Sequence, residues 1–549
     1  MKPQVLLFLM SLAYLPSQSV SLYPIESLTR EVKSLDGLWH FRAEQSNSDG
    51  VGFREKWFLK DFSKMPESDL MPVPCSFNEV GQSPQLRAHV GWVWYQRAFL
   101  LPTAWAPHHR IMLRFQSVHY YASVWVNGVW LMEHVGGRLP FEAELSGLVR
   151  ARGAGRSENV ITVAVNNTLS HHTIPPAEFV YKTDSQRYPP GYVEQQLDFD
   201  FFNYAGIERP VLLYRTPRSH IADIYLDTKS VALQEEHSYT GINHRFASVQ
   251  IDVTVETEEG GPGLVLVYLN DQLVSRNRSA LLRLEGAKLW WPRGVQRQRP
   301  YLYQLKVELW TADGGDLLDV YSMPVGIRSV ALVNGSLLVN NQPFYLTGFG
   351  MHEDWNVRGK GFDNVLLMKD MNLLVWTGAR GFRTSHYPYA QERMFEADRR
   401  GLLVIDELPA VGLRYFTEEN LKLHEQMLRE LIARDKNHPS VLMWSLANEP
   451  KSGSRQAEQY FTSLVSTARN LSNKIITAVL SQPVDKETVA PHLDVVCVNR
   501  YYGWYIERGR AELIESQLLG DLTRWHARFG KPIILSEYGA EAIPAINTA

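Results

Sequence analysis

Up to about residue 215, short runs of alternating apolar and polar residues are separated by turn signals, and they predict β-sandwich strands that each bury one face. Val124 and Val126, then Asn127-Gly128, then Val129 and Leu131 spell a hairpin whose central pair suits a primed turn. The alternation restarts near 220. Val249, Ile251, Val253 and Val255 keep period two, and Gly260-Gly261-Pro262-Gly263 precedes another strand over Leu264 to Leu269. A second, smaller β domain is predicted there. Past about 340 the pattern changes to short apolar runs spaced by helical segments, as in βα units around a parallel sheet. The runs are Phe344 to Phe349, Gly381 to Ser385, Leu402 to Ile405, Val441 to Leu446, Ile475 to Leu480, Val495 to Val498 and Ile533 to Leu535. Between the third and fourth, Leu421, Met427, Leu428, Leu431 and Ile432 share one helical face, with His424 the polar residue on it. Several runs end in polar groups: Arg383 and His386, Asp406 and Glu407, Asn448 and Glu449, Asn499 and Tyr501, Ser536 and Glu537. In a (β/α)8 barrel the C-terminal strand ends line one mouth, so these groups are expected to converge.

Lys2, an apolar stretch from Val5 to Leu15, Pro16 and the small residues of Ser19-Val20-Ser21 read as a signal peptide over 1–21, cleaved near Leu22. The stretch is too short to span a bilayer of about 30 Å, so no membrane span is expected. Sequons at Asn166, Asn277, Asn334 and Asn470 fit a glycosylated secretory product. Cys75 and Cys497 are either two buried thiols or one disulfide, and neither makes a disulfide framework. A chain of 549 residues, 45% hydrophobic and 21% charged, has room for three or four domains, which excludes a disordered chain and a polytopic membrane protein. Its 56 basic and 59 acidic residues lack the basic excess that nucleic-acid binding demands. The 15 Trp, 25 Tyr and 22 Phe suit carbohydrate sites and sandwich cores alike.

Two carboxylates carry the candidate chemistry, Glu449 in Trp444-Ser445-Leu446-Ala447-Asn448-Glu449-Pro450 and Glu537 in Ile534-Leu535-Ser536-Glu537-Tyr538-Gly539. Retaining glycoside hydrolysis needs one acid to protonate the leaving oxygen and a second carboxylate, about 5 to 5.5 Å away, to attack the anomeric carbon. Two strand ends across a barrel mouth provide that arrangement. Arg383 is placed to keep Glu537 ionised. A HExxH helix, a Walker loop and paired Cys-x-x-Cys are all absent, so neither a metal nor another cofactor is expected.

The strings Phe382-Arg383-Thr384-Ser385-His386-Tyr387-Pro388-Tyr389, Val404-Ile405-Asp406-Glu407, Asn437-His438-Pro439-Ser440 and Ser536-Glu537-Tyr538-Gly539-Ala540-Glu541 resemble barrel motifs of the glycosidase family that contains β-galactosidases, β-mannosidases and β-glucuronidases. Asn499-Arg500-Tyr501-Tyr502-Gly503-Trp504-Tyr505 is similar to the form found in the lysosomal-type β-glucuronidases of that family. Asp198-Phe199-Asp200-Phe201-Phe202-Asn203-Tyr204-Ala205-Gly206 resembles its sandwich loop that reaches the active site. The resemblance implies a jelly-roll-like sandwich over 22–218, an immunoglobulin-like sandwich over 219–340 and a TIM-barrel catalytic domain over 341–549. It also implies Glu449 as acid/base, Glu537 as nucleophile, Asn448 at the sugar 2-hydroxyl, and Tyr501, Tyr505, His386 and Asp200 around the sugar. By the same resemblance the substrate is a glucuronide or a glycosaminoglycan fragment, the assembly a homotetramer and the destination the lysosome.

Some positions depart from that family pattern. Gly348-Phe349-Gly350-Met351-His352-Glu353 lacks an Asn usual in the first barrel strand, and Arg380 stands where an Asn is usual. The family's Asn-x-Lys and eighth strand, which follow the nucleophile strand, have no counterpart in Ala542 to Ala549. A barrel lacking its last strand is therefore expected, with two unpaired edges and impaired folding or catalysis as a second reading.

Overall fold

The computed structural model describes residues 22–45, 50–81, 83–105, 109–150, 158–189, 192–233, 245–258, 263–295 and 300–539. The predicted leader, most of the glycine turn at 260–263 and the segment after Gly539 lie outside the described residues. Two antiparallel sheets form the first unit. One has six strands in the order Asp69–Val73, Gly37–Ala43, Trp92–Phe99, Asn159–Asn166, Tyr121–Val126, Val129–Val135. The other has four, Glu31–Ser34, Val211–Pro217, His109–Phe115, Phe141–Glu144. Tyr95, Val124 and Val163 from the first sheet meet Leu113, Phe115 and Leu213 from the second in a common core. The predicted hairpin forms there. Val126 pairs with Val129 across Asn127 and Gly128, whose φ values of 52° and 80° are those of a primed turn.

On the opposite face of the six-stranded sheet, Trp94 and Trp125 stack at 5.6 Å and join Trp57 and Phe62 in a separate aromatic cluster. Much of the aromatic content is thus architectural. The second unit packs a three-stranded sheet (His220–Leu233, Arg245–Glu256, Ser279–Glu285) on a four-stranded one (Gln272–Ser275, Leu264–Leu269, Tyr303–Trp310, Leu317–Val325). Val249, Ile251 and Val253 are buried against Val265, Val267, Leu305 and Val307, as their period-two spacing predicts.

Seven parallel strands follow, each paired with the next: β1 Gly348–Gly350, β2 Gly381–Arg383, β3 Leu403–Glu407, β4 Val441–Asn448, β5 Ile475–Leu480, β6 Val496–Asn499 and β7 Ile533–Glu537. Helices α1 Asn364–Trp376, α2 Gln391–Arg400, α3 Glu418–Asp435, α4 Arg455–Leu471 and α5 Ile514–Phe529 accompany them, while short 3-10 turns at Val484–Lys486 and Ala490–His492 link β5 to β6. Among the described residues no helix is long and apolar enough to cross a membrane. A Cβ on Gly348 would lie 1.9 Å from the Gly381 carbonyl oxygen, and one on Gly381 would lie 2.4 Å from that of Leu403, so only glycine allows β1, β2 and β3 this close.

The first predicted barrel run begins too early. Gln342 pairs back with Val339, and the Phe344 amide donates to the Leu337 carbonyl, so the chain is still finishing a small hairpin there. Phe344 instead closes the barrel floor with Trp290, Leu403, Leu442 and Ile475. Among the described residues β1 and β7 each have one strand neighbour, and Val365, Met368, Leu373 and Trp376 form an outward apolar stripe on α1, with Trp376 81% exposed. Cys75 and Cys497 are both buried free thiols.

His424 is fully buried on the inner face of α3, with Nε2 2.9 Å from the Leu446 carbonyl and Nδ1 3.1 Å from the Tyr460 hydroxyl. Burial pushes its imidazole down to about 4. The folded value lies below the unfolded one, so the unfolded chain takes up the proton first as pH falls. The stability this group contributes is present above about pH 6.5 and is lost toward pH 4, at about 1.4 kcal/mol per pH unit. Thermal melts followed by circular dichroism across that window are expected to show a falling midpoint, with a shallower fall in His424→Gln.

Candidate active site

The polar ends of β2, β3, β4, β6 and β7 meet at one mouth. Glu537, the last residue of β7, accepts from the Arg383 guanidinium through Oε1 and from the Tyr501 hydroxyl through Oε2, the latter at 2.5 Å. Arg383, at the end of β2, is 3% exposed and turns its other terminal nitrogen to both oxygens of Glu407 at 2.7 and 2.8 Å. Burial opposes its charge, but the carboxylates of Glu407 and Glu537 outweigh that and raise its pKa. Glu407 ends β3, fully buried, and also accepts from Ser445 at 2.7 Å and His386 Nδ1 at 3.3 Å. Burial alone would raise its pKa; the Arg383 charge reverses this and holds the carboxyl below its ordinary value.

A second branch leads to the other carboxylate. Asn448 Oδ1 ends β4 and lies 3.4 Å from Arg383 and 3.2 Å from the Asn499 amide, which donates to Glu449 Oε1 at 2.7 Å. Ser536 closes the circuit by donating to Asn499 Oδ1 at 2.9 Å. Glu449 and Glu537 therefore sit at the two ends of one hydrogen-bonded network. Glu449 itself leaves β4 with a φ of 49°, its amide tied to the Val479 carbonyl at 2.8 Å, so the side chain is turned out of the strand at a fixed point.

Tyr501 and Tyr505 stand on the loop after β6 with ring centroids 5.0 Å apart. Burial and the Glu537 charge raise the Tyr501 hydroxyl, which keeps it a donor. Tyr505 is 60% exposed at the rim. His386 lies with Nε2 3.8 Å from Glu537 Oε1 and stacks on Phe201 at 5.9 Å. Phe201 also packs on His352 and Tyr387, which brings the sandwich loop over the mouth. Asp200 beside it is exposed and has no hydrogen bond or ion pair among the described residues, whereas Asp198 pairs with Arg414 at 3.1 Å. Arg209 clamps the same sandwich to the barrel, donating to the Pro388 carbonyl at 2.7 Å and to Glu353 at 3.1 Å. Below, burial and the Lys360 ammonium push His352 down to about 3, so it is neutral against Tyr387.

The sequence marked Glu407 and Asn499 only as polar strand ends; the structure makes them the links that join Arg383, Asn448 and Glu449. Arg380 points away from the mouth, donating to the Tyr345 carbonyl at 3.3 Å before β2 begins. Among the described residues no group of three or more His, Cys, Asp and Glu side chains is arranged to hold a metal ion. Converging carboxylates, one braced by a cation and a phenol, are suited to acid-assisted displacement at an acetal carbon.

Residues 32–217 match the sugar binding domain of glycosyl hydrolases family 2, residues 219–328 a further domain of that family, and residues 330–548 its TIM barrel domain. A β-glucuronidase of Sus scrofa is 45% identical over 96% of this chain and 80% of its own length. One of Homo sapiens is 44% identical over 96% of this chain and 81% of its own. Among solved structures, a β-glucuronidase of an uncultured Clostridium sp. superimposes with a TM-score of 0.84 at 39% identity, over 96% of this chain and 86% of that one. A Ruminococcus gnavus β-glucuronidase in complex with D-glucuronic acid gives a TM-score of 0.84 at 32% identity, over 96% and 87%.

Proposed function

Because the chain belongs to glycosyl hydrolase family 2, we propose that it is a retaining exo-β-glucuronidase that releases terminal β-D-glucuronate from glucuronides and glycosaminoglycan fragments. The observation that carries the reading is the continuous network between Glu449 and Glu537 at the strand ends. Glu537 attacks the anomeric carbon as the glycosidic bond breaks, and Glu449 passes its proton to the departing oxygen. Glu449 then takes a proton from water, which attacks the same carbon and frees Glu537; two inversions retain the configuration. Arg383 and Tyr501 hold Glu537 in place by their hydrogen bonds. Asn448 takes the sugar 2-hydroxyl, while His386, Tyr505 and Asp200 line the rest of the sugar pocket. No cofactor enters the reaction. The glucuronide preference is supported by the relatives' names and by the D-glucuronic acid bound in the Ruminococcus gnavus enzyme.

The same reading divides the chain into a leader at 1–21, sandwiches at 22–218 and 219–340, and a barrel at 341–549. The leader sends it through the secretory pathway to the lysosome, and it assembles as a homotetramer. Asn277, Asn334 and Asn470 are exposed glycan acceptors. Asn166 is half-buried, and its Oδ1 accepts from the Thr168 amide at 2.9 Å, so it is the least accessible of the four.

Hydrolysis of an aryl β-glucuronide and an aryl β-galactoside, measured side by side, tests the specificity. The glucuronide is expected to be cleaved and the galactoside left; the reverse order would reject it. Tyr501→Phe removes one donor to Glu537 and is expected to lower kcat about ten- to a hundredfold with little change in KM.

A further inference from the structure

At the end of the barrel opposite Glu449 and Glu537, a cavity of about 110 Å³ opens between the second sandwich and the first residues of β4 and β5. It is several times the roughly 30 Å³ that one water occupies in the liquid. Arg328, Lys436, Lys474, His438, Asn473 and Asp227 contribute to its walls. The carboxylates around it are already committed. Asp227 pairs with Lys229 at 2.7 Å and accepts from Asn473 at 2.9 Å. Asp223 pairs with Lys436, and Asp398 accepts from His438 at 2.6 Å and from the Ser440 amide at 3.0 Å.

Arg328 and Lys474 have no carboxylate partner among the described residues. Arg328 donates through Nε to the Pro439 carbonyl and through Nη2 to that of Val441 at 2.6 Å. Lys474 Nζ donates to the carbonyls of Lys436 at 2.9 Å and His438 at 3.2 Å. Carbonyls satisfy donors without neutralising charge, and among the described residues Nη1 of Arg328 and the third ammonium hydrogen of Lys474 have no protein acceptor, the nearest further contacts being the rings of Trp290, 5.9 Å from the guanidinium, and Trp444, 5.2 Å from the ammonium. Burial and the neighbouring guanidinium push Lys474 down to about 7, and burial pushes Arg328 down to about 10. Two confined like charges are costly. The Asp398 charge eases this cost for both cations without pairing with either, and an anion in the cavity would ease it further. The cavity supplies the room, and the guanidinium and ammonium that line it supply donors of the kind that oxyanions take.

We propose that this cavity is a binding site for one small oxyanion of the phosphate or sulfate type, held by Arg328 and Lys474. The bound anion ties the second sandwich to the barrel floor, away from the catalytic mouth, and the proposal does not depend on the hydrolytic reading.

Isothermal titrations of the intact chain with inorganic phosphate and, separately, with sodium sulfate, in a buffer free of other oxyanions, test it. At least one of the two ions is expected to bind saturably, one per chain, and to raise the melting temperature as a ligand of the folded state does. Arg328→Gln and Lys474→Gln, each checked for folding by circular dichroism, are expected to bind about tenfold or more weakly, while Glu449→Gln at the far end of the barrel binds as the parent does. Absence of saturable binding to the intact chain at millimolar concentration of both ions overturns the proposal. So does equal affinity in a folded Lys474→Gln protein, or binding that disappears in Glu449→Gln.

Discussion

Glu537→Gln is expected to lower aryl β-glucuronide hydrolysis by several powers of ten, each equivalent to about 1.4 kcal/mol of activation free energy. The amide matches the carboxylate in shape, its oxygen still accepts from Arg383, and its NH2 takes the place of the oxygen that faced the Tyr501 hydroxyl, which can turn to accept from it, so the mouth keeps its form. What disappears is the charge proposed to attack the anomeric carbon. Arg383 retains its contacts with Glu407, and only a small change in melting temperature is expected. Glu449→Gln should fail differently. With a nitrophenolate leaving group that needs no proton, the first displacement proceeds and water attack slows, so the variant releases a burst of phenolate before a slow steady state. Stopped-flow release of nitrophenolate separates the two. A burst from Glu537→Gln, or equal rates in Glu537→Gln and the parent, would contradict the roles.

Arg383→Gln is expected to cost about 3 to 5 kcal/mol of stability, the range for removing one partner of a buried ion pair. The substitution leaves Glu407, which is fully buried, and Glu537 without their shared countercharge. Its pH dependence identifies the cause. In the parent, Arg383 holds the Glu407 pKa below the ordinary carboxylate value, so the pair stabilises the fold above about pH 4.5 and that contribution is lost as the pH falls through the folded value. In the variant the Arg383 charge no longer opposes burial and only His386 and Ser445 do, so the Glu407 pKa rises and less stability is lost as the pH falls. The difference in melting temperature between parent and variant is therefore expected to shrink as the pH is lowered, read by calorimetry over a pH series. A constant difference would show that lost packing, rather than an unpaired carboxylate, sets the cost.

Period-two alternation at Val249, Ile251 and Val253, and the Asn127-Gly128 turn, were legible because each rests on local geometry. The seven apolar runs located the barrel for the same reason. Phe344 misled because apolar residues of a barrel floor and of a barrel strand look alike in sequence; its hydrogen bond to Leu337 is what separates them. At the mouth, the strand-end positions of Glu449, Glu537 and Arg383 were readable. The part of Glu407 and Asn499 was not, since a bridge between two side chains depends on which strands are neighbours and how they are staggered. The sandwich loop likewise carried a recognisable string, but only the packed structure shows Phe201 on His386. His424, a lone polar residue on an apolar helix face, proves to be satisfied by Leu446 and Tyr460, a structural place rather than a catalytic one.

On the proposed mechanism Glu537 forms a covalent bond to the sugar. Incubation with a 2-deoxy-2-fluoro-β-glucuronyl fluoride, whose fluorine at carbon 2 slows both displacements while the fluoride leaving group keeps the first one fast, followed by peptide mass spectrometry, tests it directly. One fluoroglucuronyl group per chain is expected, on the peptide containing Ser536-Glu537-Tyr538. An adduct on Glu449 or Glu407, or turnover of aryl glucuronide that the reagent leaves unlabelled and uninhibited, would contradict it.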